Sequence, residues 1–429
     1  MNKNINIAVI GLGQIGSYVL NELNTKKKDI ETKTGKRIKV IAISAKNKNK
    51  KRKFKINKKI FYSNPLDILK IKNLDIVIEA IGRSDGISKK IIETALKNKI
   101  HVITPNKALI SKHGDKLGEL AEKNKVNLEF EASVAGGIPI VRTIKEGLAT
   151  NKITKVYGIL NGTCNYIMSE MERTKDSFKN VLKMAQKLGY AEPGNPKLDL
   201  NGYDALAKIK ILTSLAFNKK ISKSECLMEG IENIDYADIK IADQLDFRIK
   251  LLGITEIINN SIFERVHPCL VKKDSYIGNV DGVMNAVILN GSPIGESVLQ
   301  GEGAGPGPTS SALMSDLLSI LRGNIKYPFG ISKNKRLKPK IFNKDQSSNS
   351  LYLRLEVKDK PGVLSSITKI LAKYKISIQR LIQIPDHKSK TASIVLITHN
   401  ANELYAQRCI KSFKSNKNII KNPVLIRLF

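Results

Sequence analysis

The sequence predicts an α/β protein in three parts: an N-terminal doubly wound parallel sheet, a central α+β unit and a C-terminal ferredoxin-like βαββαβ unit. Three observations carry this. Through the first 150 residues, short apolar runs alternate with helix-spaced segments, as strands and crossover helices of a parallel sheet do. A Gly-x-Gly-x-x-Gly run stands between the first apolar run and the first helical pattern. A polar, lysine-rich stretch at 331–350 then separates residues 351–429 from the rest.

Each element follows from its pattern. Ile5–Ile10 (INIAVI) reads as a buried strand and Ile15–Leu23 as a helix opening behind glycines. Ile38–Ile43 and Leu74–Ile78 are further strands, Ser88–Asn98 has helical spacing, and His101–Thr104 and Val126–Phe130 complete the series. The pattern then changes. Lys155–Leu160 and Val283–Leu289 are strand-like, whereas Phe178–Leu188 and Ala205–Phe217 are helical. A Gly/Pro-rich loop, Gly301–Pro308, precedes a helical pattern over Ser310–Leu321. The expected domains are 1–150, with 305–330 packing back on it, then 151–304, a linker at 331–350, and 351–429.

The Gly-rich run is Gly11-Leu12-Gly13-Gln14-Ile15-Gly16. Between a strand and a helix this is the dinucleotide-binding fingerprint of a Rossmann domain. Gly11 permits the tight turn, Gly13 lets the backbone approach a pyrophosphate, and Gly16 allows close helix–strand packing. Gln14 and Ile15 open the helix, whose free amides and dipole favour an anion. The acid that would bind the ribose 2′-hydroxyl of NAD is missing after the second strand, which ends Ser44-Ala45-Lys46. A carboxylate there would repel a 2′-phosphate and Lys46 would attract one, so NADP is favoured, with NAD as the alternative.

Composition bounds the rest. At 429 residues, 41% hydrophobic and 26% charged, the chain is a soluble globular type with room for two or three domains. Its four cysteines, Cys164, Cys226, Cys269 and Cys409, have no paired spacing, which argues against a disulfide framework or a zinc site. The apolar run at Ile5–Ile10 is too short for a signal peptide, and no apolar stretch reaches the ~18 residues of a membrane span. The expected address is cytoplasmic. With 73 basic residues against 39 acidic, the formal charge is +34. The lysines are spread along the whole chain rather than gathered into a stripe, so no nucleic-acid partner is expected. The densest block, Lys46–Lys59, leaves three readings open: a solvated loop, a 2′-phosphate contact, or a nucleic-acid patch.

Four further stretches carry a resemblance. They are Thr104-Pro-Asn-Lys107, Glu131-Ala-Ser-Val-Ala-Gly-Gly-Ile-Pro-Ile140, Gly158-Ile-Leu-Asn-Gly-Thr-Cys-Asn-Tyr-Ile167 and Asp199-Leu-Asn-Gly-Tyr-Asp-Ala-Leu-Ala-Lys208. As a set, in this order, they resemble homoserine dehydrogenases. The loop Gly301-Glu-Gly-Ala-Gly-Pro-Gly-Pro-Thr309 is similar to that family's cofactor-side glycine loop. The resemblance implies NAD(P)H-dependent reduction of L-aspartate 4-semialdehyde to L-homoserine, in threonine and methionine biosynthesis, by a homodimer formed through the central domain. It also implies that Thr104, Lys107 and Gly303 contact the cofactor.

Aldehyde reduction needs the developing alkoxide stabilised and then protonated, and a lysine ammonium does both. Lys208 stands four residues after Asp204, one turn along if the stretch is helical, so Asp204 could hold the ammonium in place. The resemblance puts Lys208 and Lys107 at the reacting carbonyl, with Lys208 as main acid/base. By the same resemblance Glu192 and Asp199 face the substrate ammonium, and Gly162, Thr163 and Tyr190 line the pocket. The spacer between Glu192 and Asp199 (Pro-Gly-Asn-Pro-Lys-Leu) is one residue longer than the family pattern, which leaves a solvated loop acid as the other reading of Glu192. The family also holds a monovalent cation such as sodium, implying a carboxylate from Glu131 and carbonyls from Val134, Gly136 and Ile138; a structural turn is the alternative. Two rivals stay open. A non-catalytic nucleotide- and amino-acid-binding regulator would need no Lys208 chemistry. An aspartate-semialdehyde dehydrogenase would use a cysteine such as Cys164 as nucleophile.

The segment Leu351-Tyr-Leu-Arg-Leu-Glu-Val-Lys-Asp-Lys-Pro-Gly-Val-Leu-Ser-Ser-Ile-Thr-Lys-Ile-Leu371 resembles an ACT domain. An alternating strand ends at Asp359, Pro361-Gly362 turn, and Val363, Leu364, Ile367, Ile370 and Leu371 give a helical apolar face. Ile376–Ile378, Ser393–Thr398, a helix over Ala401–Phe413 and a strand at Val424–Leu428 complete βαββαβ. The resemblance implies an amino-acid effector, threonine, near Asp359, Gly362 and Gln383. A domain that only dimerises is the other reading.

Overall fold

The computed structural model describes residues 4–323, 326–386 and 389–429. The expected domains 1–150, 305–330 and 351–429 therefore include residues 1–3, 324–325 and 387–388, which lie outside the described residues. The chain forms two compact units that do not follow chain order. One comprises residues 1–162, 206–223 and 284–339, the other 163–205, 224–283 and 340–429.

The first unit contains a six-stranded, all-parallel sheet. Its order is Phe61–Tyr62, Ile38–Ser44, Ile5–Ile10, Ile76–Glu79, His101–Ile103, Leu128–Glu129. Chain order reverses between Ile5–Ile10 and Ile76–Glu79, where Ile10 pairs with Glu79. A doubly wound sheet opens its ligand crevice at that point, beyond the C-terminal strand ends. Ile7, Val9, Ile43, Ile76 and Ile78 pack here against helix Gln14–Thr25 and against Leu313, Leu317 and Ile320 of helix Pro306–Leu321. The same unit holds a three-stranded antiparallel sheet, Gly295–Glu302, Met284–Ser292 and Lys152–Ile159.

Some elements escape periodicity, for physical reasons. Helix Lys107–Asn124 carries Gly114 and Gly118, which weaken a helical reading. Both make room for the Phe329 ring: a Cβ at Gly114 would lie 2.9 Å from its Cζ. Strands Phe247–Ile258 and Ser261–Lys272 of the second unit are buried along most of their length, so they lack period-two alternation. Residues 331–350, read as a linker, are firmly attached. Arg336 is 3% exposed and donates to Asp115 and Ser214 at 2.7 and 2.6 Å, and Phe342 N–H donates to the Ile262 carbonyl.

In the second unit, strands Val424–Leu428, Leu351–Lys358, Thr391–Thr398 and Ile378–Asp386 form a four-stranded sheet in that order, with helices Val363–Lys373 and Glu403–Lys414. This is the ferredoxin-like arrangement. Val424–Leu428 also pairs in parallel with Ser261–Lys272, so the sheet continues into Phe247–Ile258. Arg354, at 4% exposure, is held by Asp238 on Nε and one terminal nitrogen at 2.6 and 2.8 Å, and by Asp235 at 2.7 Å. The two acids also form the capping box of helix Tyr236–Gln244. Among the described residues no helix is long and apolar enough to cross a membrane.

Stripping Arg354 of its charge leaves Asp238 buried without its main counter-ion. Arg354→Met should cost about 3–5 kcal/mol in urea unfolding, and Arg354→Met with Asp238→Leu should recover most of that. An unchanged midpoint for the single variant would show that the pair contributes little.

Candidate active site

In the first unit the glycine turn is built as its spacing implies. Gly11 adopts φ +98°, and a Cβ there would come within 2.6 Å of the Ala80 carbonyl. A Cβ on Gly16 would lie 1.9 Å from the Gly11 oxygen. A Cβ on Gly13 would meet nothing within 4 Å, because this residue faces a cavity of about 640 Å³. Gln14, Tyr18, Pro306 and Gly307 also line it, as do Lys50, Lys51, Arg52 and Lys53. Gly13 caps helix Gln14–Thr25 without a side-chain hydrogen bond, leaving the helix N-terminus to an anion. Glycine positions, helix terminus and basic lining together fit a dinucleotide with its phosphates.

Arg52 was not singled out by sequence, since in a run of nine basic residues nothing marks one. Its Nε donates to the Leu12 carbonyl at 3.2 Å, and its terminal nitrogens to Asn47 and Lys50 carbonyls at 2.7 and 2.9 Å, fastening the basic loop to the glycine turn. Lys46 is exposed and is not among the lining residues; the basic lining comes from Lys50 to Lys53.

Thr104 is fully buried, and its hydroxyl donates to Glu79 at 2.7 Å while accepting the Asn106 amide at 3.1 Å. Asn106 caps helix Lys107–Asn124 by accepting the Leu109 amide, which places half-buried Lys107 on the first turn. Glu79, another group the motifs did not reveal, also accepts the Ile81 amide at 2.8 Å. Thr104 thus braces the crevice wall through Glu79.

Lys208 is 7% exposed, and its ammonium donates to the Leu160 carbonyl at 2.6 Å. Helix Tyr203–Ala216 carries Asp204 and Lys208 one turn apart, as the spacing requires. Gly303 packs on the Asn285 carboxamide, where a Cβ would clash at 2.1 Å, and Gly136 packs on Gly303. Neither polar atom of Asn285, a fully buried side chain, has a hydrogen-bond partner.

Glu131 is 3% exposed, and its two carboxylate oxygens accept the Val141 and Arg142 amides, each at 2.8 Å. Burial pushes its carboxyl up to about 6, against the pull of those amides. Ala135 and Gly136 follow with φ +54° and +52°, a left-handed turn that reverses the backbone before Ile138. The Ile138 carbonyl accepts the Ile140 amide. Among the described residues no cluster of three or more His, Cys, Asp or Glu side chains could hold a metal ion.

In the second unit, Thr163 donates to the Tyr190 carbonyl at 2.5 Å, and the Tyr190 ring lies 4.9 Å from that of Tyr166. Gly162 and Thr163 open helix Gly162–Thr174. Asp199 sits half-buried in the short helix Lys197–Leu200, and the Cys164 thiol donates to its carbonyl at 3.3 Å. Cys164 is fully buried, which suits a structural thiol better than a nucleophile. Glu192 is exposed, on the loop between Gly189 and Pro196. The structure thus brings Thr163, Tyr190 and Asp199 together around one helix start and leaves Glu192 exposed. Farther along the chain, the Gln383 amide donates to Asp359 at 3.4 Å, and Gly362 takes φ +85° at the start of helix Val363–Lys373.

Comparisons with known proteins give the family. The homoserine dehydrogenase family model matches residues 139–318, the model of that enzyme's NAD-binding domain matches 11–131, and the ACT domain model matches 351–404. Homoserine dehydrogenases of Neisseria gonorrhoeae and Helicobacter pylori are each 38% identical, the first over 99% of both chains and the second over 100% of both. The crystal structure of a homoserine dehydrogenase from Thiobacillus denitrificans has a TM-score of 0.90 at 34% identity, covering 100% of this chain and 98% of that one. The chain belongs to the homoserine dehydrogenase family of NAD(P)-dependent oxidoreductases, and carries an ACT domain.

Proposed function

We propose that the chain reduces L-aspartate 4-semialdehyde to L-homoserine with NADPH, and that Lys208 is its acid/base. The observation that carries this is a buried ammonium held at a backbone carbonyl, on the helix that also bears Asp204. A bound nicotinamide would supply the hydride that reaches the aldehyde carbon. The ammonium of Lys208 would stabilise the alkoxide that develops on the aldehyde oxygen and then protonate it. Lys107 would add a second positive charge at that oxygen, and Asp204 would help orient Lys208. Asp199 and Glu192 would bind the substrate ammonium, and Gly162, Thr163 and Tyr190 would shape the pocket around them.

Thr104, Gly303 and the Gly11–Gly16 turn would hold the dinucleotide, its 2′-phosphate facing the basic residues of the 46–53 loop; NADH would be the weaker donor. A monovalent cation such as sodium would sit at Glu131 and the carbonyls of Val134, Gly136 and Ile138. The buried carboxylate and left-handed turn support it, although the Ile138 carbonyl is already used. Threonine would bind near Asp359, Gly362 and Gln383. The enzyme would work in the cytoplasm as a homodimer. Rates of NADPH oxidation with and without L-threonine, and with sodium replaced by choline, test the effector and the cation.

Two outcomes are expected from kinetics. Lys208→Ala should lower kcat by about 10²–10⁴-fold while NADPH binding, followed by fluorescence, stays intact; unchanged turnover would remove Lys208 from the chemistry. Lys51→Glu should raise KM for NADPH about tenfold, the equivalent of ~1.4 kcal/mol, and leave KM for NADH unchanged. The same substitution at Lys46 should have a smaller effect. Equal effects on both cofactors would contradict the 2′-phosphate reading.

A further inference from the structure

The last strand of the ACT domain carries an arginine that has no solvent-facing role. Arg427 is 1% exposed, in the strand Val424–Leu428. Its terminal nitrogens donate to both Glu229 oxygens, each at 2.8 Å. Its Nε and one terminal nitrogen donate to Glu403 at 2.9 and 2.6 Å. Gln407 joins the cluster by donating to Glu403 at 2.8 Å. Burial would lower the guanidinium pKa, but its bonds to Glu403 and Glu229 outweigh that, so it stays charged. Two carboxylates share this one guanidinium, so its removal would take the direct ion-pair partner from both Glu229 and Glu403.

Glu229 belongs to the ACT domain in neither sequence nor topology. It follows the short strand Leu227–Met228, which pairs in parallel with Ser261–Lys272, and its amide donates to the Val266 carbonyl at 2.8 Å. The next residues press on the segment that bears Asp199. Gly230 packs so tightly that a Cβ would lie 2.2 Å from the Leu200 oxygen and 2.7 Å from the Asn201 Cα. The Ile231 amide donates to the Leu200 carbonyl at 3.0 Å, and Gly202, at φ +86°, has room only for hydrogen against Val266. Leu200 is adjacent to Asp199 in the helix Lys197–Leu200. A continuous set of contacts therefore runs from Arg427 through Glu229, Gly230 and Ile231 to Leu200 and Asp199.

We propose that Glu229, clamped by Arg427, is a positioning residue for substrate recognition: it fixes the Leu200–Gly202 turn and so the approach of Asp199 to the substrate ammonium. The ACT domain is then part of the framework that sets affinity for the amino-acid substrate. Such coupling is expected at substrate binding, since the contacts named above do not involve the dinucleotide turn. The inference rests on Asp199 binding the substrate.

The test is steady-state kinetics of Glu229→Ala, Glu229→Gln and Asp199→Asn, varying semialdehyde at saturating NADPH and the reverse, with hydrogen–deuterium exchange on each variant. Glu229→Ala should raise KM for the semialdehyde about tenfold, with kcat and KM for NADPH within about twofold and faster exchange across 199–202 and 229–231. Glu229→Gln, which keeps one acceptor for Arg427, should fall between Glu229→Ala and the unaltered protein. An unchanged semialdehyde KM in folded Glu229→Ala or Glu229→Gln, beside a raised one in Asp199→Asn, overturns the positioning role and leaves the assignment of Asp199 standing. An unchanged KM in Asp199→Asn overturns that assignment itself. If Glu229→Ala does not fold, Glu229→Gln decides between the same two results.

Discussion

An ammonium taken out of water must find acceptors for its protons or give one up, and Lys208 meets that constraint at the Leu160 carbonyl, 2.6 Å away. Helix Tyr203–Ala216 and the end of strand Lys152–Ile159 keep this separation, and so help to offset the cost of burying it. The antiparallel strands beside Lys152–Ile159 fix the strand, to the point that a Cβ at Gly158 would clash with the Ala286 carbonyl at 2.1 Å. The Leu160 carbonyl is one acceptor that holds this side chain in place.

The same rule organises the second unit. Arg354 and Arg427 are buried, and each is paired with carboxylates that fix its charge in place. These clusters join strands of the ACT sheet to residues more than a hundred positions earlier in the chain. The ACT domain shares a sheet and two buried ion clusters with the segments around it, so it is no loosely tethered module. An effector bound near Asp359 would act on a sheet already continuous with Ser261–Lys272.

What sequence made legible was whatever depends on neighbours in the chain. The demands on Gly11 and Gly16 are local, because one residue must turn and the other must clear it. Helix Phe178–Leu188 was readable from its one-sided apolar face. Asp204 and Lys208 are readable as a pair because a single helical turn separates them. By contrast, the Arg427–Glu229 pair spans nearly half the chain, and nothing in either neighbourhood marks it. Arg52 was hidden among lysines, since only its bonds to the glycine turn distinguish it. Strand Ser261–Lys272 was missed because Glu264, Arg265 and His267 look like solvent-facing residues but are buried. The interleaving of two compact units likewise has no local sign. It arises because residues 206–223 and 284–339 pack with the nucleotide sheet rather than with their neighbours in sequence.

The proposed role of Lys208 is chemical: its amine would transfer the proton. Adding small primary amines to Lys208→Ala, in protein shown to be folded and to bind NADPH, tests it most directly. If Lys208 supplies the proton, methylamine or ethylamine restores part of the lost semialdehyde reduction, saturably and with a dependence on the basicity of the amine. A folded, NADPH-bound variant whose turnover responds to no amine would contradict it, and would make Lys208 a structural partner of Leu160 rather than the acid/base.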